Sequence, residues 1–297
     1  MLTRLRTLDA SARGWLLAGV AAVVAVPLVL AGPGNDLDVA NVFRSGRAIA
    51  RHADYVPSRP PGAPVHEAIV GVADLLGGPL LATALSVVAA AVAIVVLHRL
   101  VAPDAPGPGG RWAVALVAVN PWFAIAATSA ADYVFALAFG LGAALALRRD
   151  RWAVAGLLAA AGMGCRVGTA TLLVAAAVAT LTAGREHRAP VAKAAGLAAV
   201  ATALAYLPSV LDAGGLDFAR NDFATSSVVV QVGRFLAKDL LLVGLPTAVL
   251  LAIGLPAVLA ILRDWSTSWS VRFGIVGLVA SQLLFLRFPW KMAHLLP

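Results

Sequence analysis

Solidly apolar runs of roughly 14 to 23 residues, separated by short charged segments, recur along almost the whole chain, and a run of that length and uniformity constrains the fold more than any single motif. A membrane β-barrel would need apolar and polar residues to alternate over roughly ten-residue segments, and these runs do not alternate. Inside a hydrocarbon core of roughly 30 Å a helix satisfies its own backbone hydrogen bonds, so the runs predict helical spans. They fall near 15–31, 79–97, 112–128, 133–147, 152–165, 167–183, 194–211, 240–262 and 273–286. The expectation is an all-α, multi-pass transmembrane protein of about nine spans in a single domain over residues 1–297. The run at 152–165 is short for a full crossing, which predicts a tilted, broken or partly inserted helix. The first run follows Arg4, Arg6 and Arg13, contains Pro27 and lacks a small-residue cleavage site, so it reads as a retained span and not as a signal peptide.

Composition agrees. Of 297 residues, 61% are hydrophobic and 13% charged, against about 25% charged in soluble domains. A single cysteine, Cys165, rules out an intrachain disulfide framework, and no Cys/His spacing suits zinc. The net charge of +8 is scattered between apolar runs and forms no continuous basic face, which argues against nucleic acid as a partner. Topology accounts for it. With the N-terminus in the cytoplasm, 13 of the 23 basic residues fall inside, against five acids, as the positive-inside rule requires of short loops. Arginine far outnumbers lysine (Lys193, Lys238 and Lys291) and alanine abounds, the codon bias of a GC-rich genome, so a bacterial plasma membrane is the expected location.

Two polar stretches interrupt the lipid pattern on the extracytoplasmic side, at 32–78 and 212–239. The first carries the close carboxylate pair Asp36 and Asp38. From Asp38 to Arg51, Val39, Val42, Phe43, Ile49 and Ala50 share one helical face while Arg44, Arg47 and Arg51 share another, which predicts an amphipathic helix at the interface. Three prolines in Tyr55-Val-Pro-Ser-Arg-Pro-Pro-Gly62 forbid a regular helix and predict an extended corner. A second amphipathic piece follows, with Val65, Ile69, Val72 and Leu76 on its apolar face and His66, Glu67 and Asp74 off it as interfacial polar residues. The second stretch, with Asp217, Arg220, Asp222, Arg234 and Lys238, is expected to be a mobile cover or a plain connector.

An Asp just after the first span, an interfacial helix running to Arg47-Ala48, the Tyr-x-Pro-Ser-Arg-Pro-Pro-Gly corner and a second juxtamembrane helix together resemble the first lumenal loop of the GT-C superfamily. These are integral-membrane glycosyltransferases that use polyprenyl-phosphate sugars, protein mannosyltransferases and lipid A aminoarabinose transferases among them. Ser-Ala-Ala-Asp132-Tyr opening a span that ends in Arg148-Arg149-Asp-Arg151, and the later Gly164-Cys-Arg166, extend the likeness through most of the first 185 residues. Where many members follow the key Asp with Glu, this chain has Val39, and its resembling C-terminal segment ends at Pro297, so it reads as a minimal or divergent member.

The resemblance implies transfer of a sugar from a polyprenyl-phosphate donor to a hydroxyl on an extracytoplasmic lipid, glycan or protein acceptor. That chemistry needs a base for the acceptor proton, cations for the departing phosphate and an apolar groove for the lipid tail. Asp38 is implied as the base, with Asp36 second; Arg59, Asp132, Arg166, Lys291 and His294 are implied as substrate-binding. Residues two apart on a helix do not face each other, so Asp36 and Asp38 are not expected to share a proton. Each of Asp36, Asp38 and Asp132 also suits a helix N-cap. Arg166 lies between two apolar runs, where a charge costs about 2.5 to 3.5 kcal/mol unless it reaches the interface or an anion. Arg44, Arg47 and Arg51 read as a face toward anionic headgroups, and Asn120-Pro121 as a kink in the third span. Two nonadjacent carboxylates are compatible with a metal-free base or with a weak Mg²⁺ or Mn²⁺ site, and no other cofactor is expected. A transporter or flippase of a lipid-linked or anionic substrate, or a non-catalytic membrane subunit, would use the same intramembrane charges and broken helices, although no internal repeat accompanies them.

Overall fold

A computed structural model describes residues 10–34, 36–105, 108–212, 215, 227–243, 249, 252–253 and 255–287. Among these residues the fold is all-helical, with no strand. Helix α1 (Ala10–Leu30) lies along α3 (Pro64–Val101), where Gly14 brings the two backbones together: a Cβ there would stand 3.5 Å from that of His98. Between them, α2 (Leu37–His52) packs on the first part of α3. Helix α3 is broken at Gly77 and Gly78, ahead of Pro79. Gly78 takes φ 67°, ψ −167°, a conformation essentially confined to glycine, so the break separates an arm over 64–76 from a longer apolar section.

Helices α4 (Pro108–Ala118) and α5 (Pro121–Ala127) form one bent pair, turned by 60°. The bend is a capping event as well as a proline effect: the Asn120 side-chain oxygen accepts the Trp122 and Phe123 amides at 2.9 and 3.2 Å, starting a new helix. The centre of the bundle is α6 (Tyr133–Arg148), buried on nearly every side, with α3, α7 (Trp152–Cys165) and α8 (Ala170–Leu181) around it. Helix α7 has only 14 residues and ends at Arg166, whose extended backbone (φ −160°, ψ 123°) and a following 3-10 turn (Val167–Thr169) reverse the chain into α8. The expected short crossing is thus a short helix that stops at a break. Helix α9 (Arg188–Asp212) covers α7, and α12 (Trp269–Arg287) covers α8; α10 (Val228–Val243) and α11 (Leu255–Ile261) complete the described set.

Three helices are long and apolar enough to cross a membrane, Pro64–Val101, Arg185–Asp212 and Trp269–Arg287, or four if the bent pair counts as one span. Their outward faces carry exposed Val200, Leu204, Leu211, Leu278 and Leu283, a surface that suits lipid and not water. The chain is therefore a helical membrane protein.

Two expectations are corrected. The stretch 212–239 is not simply a connector, since α10 occupies Val228–Val243; Gln231 donates to the Leu286 and Arg287 carbonyls at 2.7 and 2.9 Å and Phe235 meets the Phe285 ring, so tertiary contacts with α12 hold it. Its residues Asp217, Arg220 and Asp222 lie outside the described residues. In the arm of α3 the buried face is His66, Glu67, Val70, Gly71 and Ala73, while Val72 and Leu76 are exposed. The reason is the crossing with α2: a Cβ on Gly46 would meet the Gly71 backbone at 2.7 Å and one on Gly71 would run into the Gly46 carbonyl, so two glycines in register turn that face inward. Helix α2 is amphipathic as its spacing predicts, with Val39, Val42 and Phe43 buried and Arg44, Arg47 and Arg51 exposed.

The helix connections sort into two ends. At one, Arg148 bridges Asp104 at 2.8 Å, donates to the Leu100 carbonyl at 2.6 Å and lies over the Trp269 ring, while the Trp269 indole donates to Thr180. Asp104 also accepts the Ser270 amide at 2.7 Å; burial works to raise its carboxyl, but Ser270 and Arg148 outweigh that and hold it low. At the opposite end lie α2, the arm of α3, the start of α6 and the α7–α8 break.

Candidate functional site

Four of the residues singled out in the sequence converge at that opposite end. Arg59 stands in the proline corner between α2 and α3, whose Pro60–Pro61 bond is cis. Its guanidinium reaches Asp132 at 2.5 Å and Asp38 at 3.4 Å. Asp132 precedes the first turn of α6, and Arg166, at the α7–α8 break, contacts both of its carboxylate oxygens at 3.3 Å. Asp38, Arg59, Asp132 and Arg166 thus form a continuous chain of alternating charge brought together from four segments of sequence.

Burial divides their roles. The side chain of Asp132 is 2% exposed, whereas Asp38 is 32%, Arg59 29% and Arg166 14% exposed. Asp132 is the floor: one carboxylate holds two guanidiniums, both of which remain partly exposed. Burial alone would push its carboxyl up, but Arg59 and Arg166 outweigh that cost and hold it well below the usual carboxylate range. In return, the Asp132 charge raises the Arg59 guanidinium against the opposing effect of burial. Although Asp132 occupies a cap position, its side chain makes no capping hydrogen bond. Arg166 also lies over the face of Tyr133, 4.3 Å from the ring centroid, so a charge at the end of an apolar run has both an anion and an aromatic partner.

Asp36 behaves differently. It is exposed at the N-cap of α2, with extended backbone, and its Oδ1 accepts the Asp38 amide at 3.1 Å. The pair therefore divides into a cap and a site residue. Lys291 and His294 lie outside the described residues.

His66 and Glu67, read from sequence as interfacial polar residues, are instead fully buried. The His66 ring packs at 5.1 Å from Phe135, one turn into α6 from Asp132, and neither of its nitrogens has a hydrogen-bond partner among the described residues. Glu67 accepts the Ser58 amide at 2.9 Å. Their presence in the first turn of a helix beside a proline corner was the available signal, but burial there depends on the glycine crossing and on α6, neither of which adjoins them in sequence.

Among the described residues no group of three or more His, Cys, Asp and Glu is arranged to hold a metal ion. The two carboxylates of the cluster, Asp38 and Asp132, both face the Arg59 guanidinium. The arrangement suits an anion at Arg59 and Arg166 beside a partly exposed carboxylate at Asp38. No family model, curated protein or solved structure matches the chain.

Proposed function

We propose that this is a GT-C-like membrane glycosyltransferase that moves a sugar from a polyprenyl-phosphate donor to a hydroxyl of an extracytoplasmic acceptor. The observation that carries the reading is the convergence of Asp38, Arg59, Asp132 and Arg166 at one end of an apolar bundle. In this reading Asp38 removes the acceptor proton as the new bond to the anomeric carbon forms. The bond from that carbon to the phosphate oxygen breaks, and the phosphate leaves with the added negative charge. Arg59 and Arg166 receive it, held in place by Asp132, so the stabilising charges are aimed before the reaction begins. Asp36 caps α2 and keeps Asp38 in its first turn. No step is assigned to a metal ion.

The proposed topology has about nine crossings, with α1, α6, α7 and α8 as short or tilted spans and the N-terminus in a bacterial cytoplasm. It is supported by the distribution of charge: Arg99, Arg111, Arg148, Arg149, Arg151, Arg185, Arg188 and Lys193 all lie in or next to connections at the end away from the site. The site then faces outward, where lipid-linked sugars and envelope acceptors meet.

The test is transfer by reconstituted protein supplied with a polyprenyl-phosphate sugar. Asp38→Asn is expected to lower the rate by about 10² to 10⁴, the usual worth of a general base, and Asp36→Asn, which still caps, to leave it within a few fold. Full activity in Asp38→Asn would remove the base assignment, and sugar moved across the bilayer without transfer would point to a transporter.

A further inference from the structure

We propose that Glu67 is the positioning residue of this site, setting Arg59 between Asp38 and Asp132 by anchoring the proline corner at Ser58. The inference rests on Arg59 being a ligand of the donor phosphate. Glu67 stands in the first turn of α3, where an acid is commonly explained by the helix dipole. Its side chain does something more specific. It is fully buried, and Oε1 accepts the Ser58 amide nine residues earlier, across the corner. Ser58 is itself buried, so the amide has no water to turn to, and the residue it precedes is Arg59.

The other end of the corner is fastened separately. The Gly62 amide bonds back to the Arg59 carbonyl, and the Tyr206 hydroxyl of α9 donates to the Gly62 carbonyl at 3.4 Å and to that of Met163 at 2.9 Å. Arg59 is thus suspended between an anchor at Ser58 and an anchor at Gly62. Glu67 is fixed in turn from behind, because a Cβ on Gly46 of α2 would lie 2.7 Å from its carbonyl oxygen. Tyr55 lies beside Glu67: burial first, and the neighbouring Glu67 charge second, push its phenol up, so it stays neutral. The two anchors set where the Arg59 side chain starts, and its pairs with Asp38 and Asp132 hold the guanidinium, so the group is placed before a ligand arrives.

The experiment compares Glu67→Gln, which keeps an acceptor oxygen, with Glu67→Leu, which fills the space without one, and with Asp104→Asn at the far end as a control for lost stability. Two quantities are read: the rate at which phenylglyoxal modifies Arg59, followed by peptide mass spectrometry, and the Kd for undecaprenyl phosphate. Glu67→Leu is expected to raise the Arg59 modification rate and weaken undecaprenyl phosphate about tenfold each, the equivalent of one hydrogen bond, while Glu67→Gln stays within about twofold of the unmodified protein and Asp104→Asn changes neither. Wild-type values in Glu67→Leu, equal effects of Leu and Gln, or the same change in Asp104→Asn would overturn the proposal. If Glu67→Leu does not give monodisperse protein, Glu67→Met takes its place. Should undecaprenyl phosphate fail to bind the unmodified protein while Arg59 modification responds as expected, the positioning role stands and the donor assignment falls.

Discussion

Asp132 is where the stability of the site and its electrostatics are the same question. A carboxylate buried against two guanidiniums cannot be neutralised without leaving both cations partly orphaned, and breaking a buried pair by removing one partner typically costs about 3–5 kcal/mol. Asp132→Asn is therefore expected to lower the unfolding free energy by about that amount, measurable by denaturation in detergent micelles. Because the folded carboxyl is held below its ordinary value, near 3.9, its contribution is fully present above that value and is lost as pH falls through the depressed folded value. The substitution should thus remove stability throughout the neutral range and flatten the acid limb of the profile. An Asp132→Asn protein with an unchanged melting temperature at pH 7 would show that the two arginines do not depend on it. Asp132 and Arg166 could be read from sequence as charges bordering apolar runs; that Asp132 would be a floor and Asp38 a mouth could not, because exposure depends on which helices close over each.

At the scale of elements, the α2–α3 crossing decides the architecture of the shelf. Gly46 and Gly71 allow a backbone approach that no side chain can accommodate by moving, since the atoms in the way are main chain. Gly46→Ala is expected to cost about 1–3 kcal/mol through overpacking, and to loosen both the Arg47–Asp74 ion pair at 2.6 Å and the anchoring of Glu67. Gly196→Ala, in α9, has nothing within 4 Å and should be neutral or slightly stabilising. Thermal unfolding of the two variants side by side checks this; equal melting temperatures would contradict the close crossing. The helix, corner, helix order of residues 37–76 was legible from amphipathic spacing and three prolines. The face that α3 buries was not, because Val65, Ile69, Val72 and Leu76 form an apolar stripe that lipid can satisfy as well as a core can. Nor was α10, whose charged residues resemble a loop until α12 supplies a surface for Gln231 and Phe235.

For the whole molecule, the separation of the two ends makes a topological prediction. Asp54, exposed beyond α2, and Glu186, exposed between α8 and α9, lie at opposite ends of the bundle. With Cys165 buried and silent, Asp54→Cys is expected to react with a membrane-impermeant maleimide on intact cells, and Glu186→Cys only after permeabilisation. Reaction of both from the same side would refute the proposed crossing pattern, and the reverse pattern would invert the site to the cytoplasm.

The sequence by itself determined that this chain is helical and lives in lipid, since long unbroken apolar runs admit no other backbone that satisfies its own hydrogen bonds in a membrane. It also marked Arg166, because a charge between apolar runs is costly enough to stand out, and it set apart Asp38 in a close carboxylate pair, Arg59 in a proline corner and Asp132 at the mouth of a span. Only the tertiary structure decided that these four meet, that Asp36 caps while Asp38 faces Arg59, and that Glu67 reaches back to Ser58. Those outcomes depend on helices far apart in sequence closing on glycines and on a broken backbone at Arg166, and contacts between distant segments leave no periodicity in the chain that makes them.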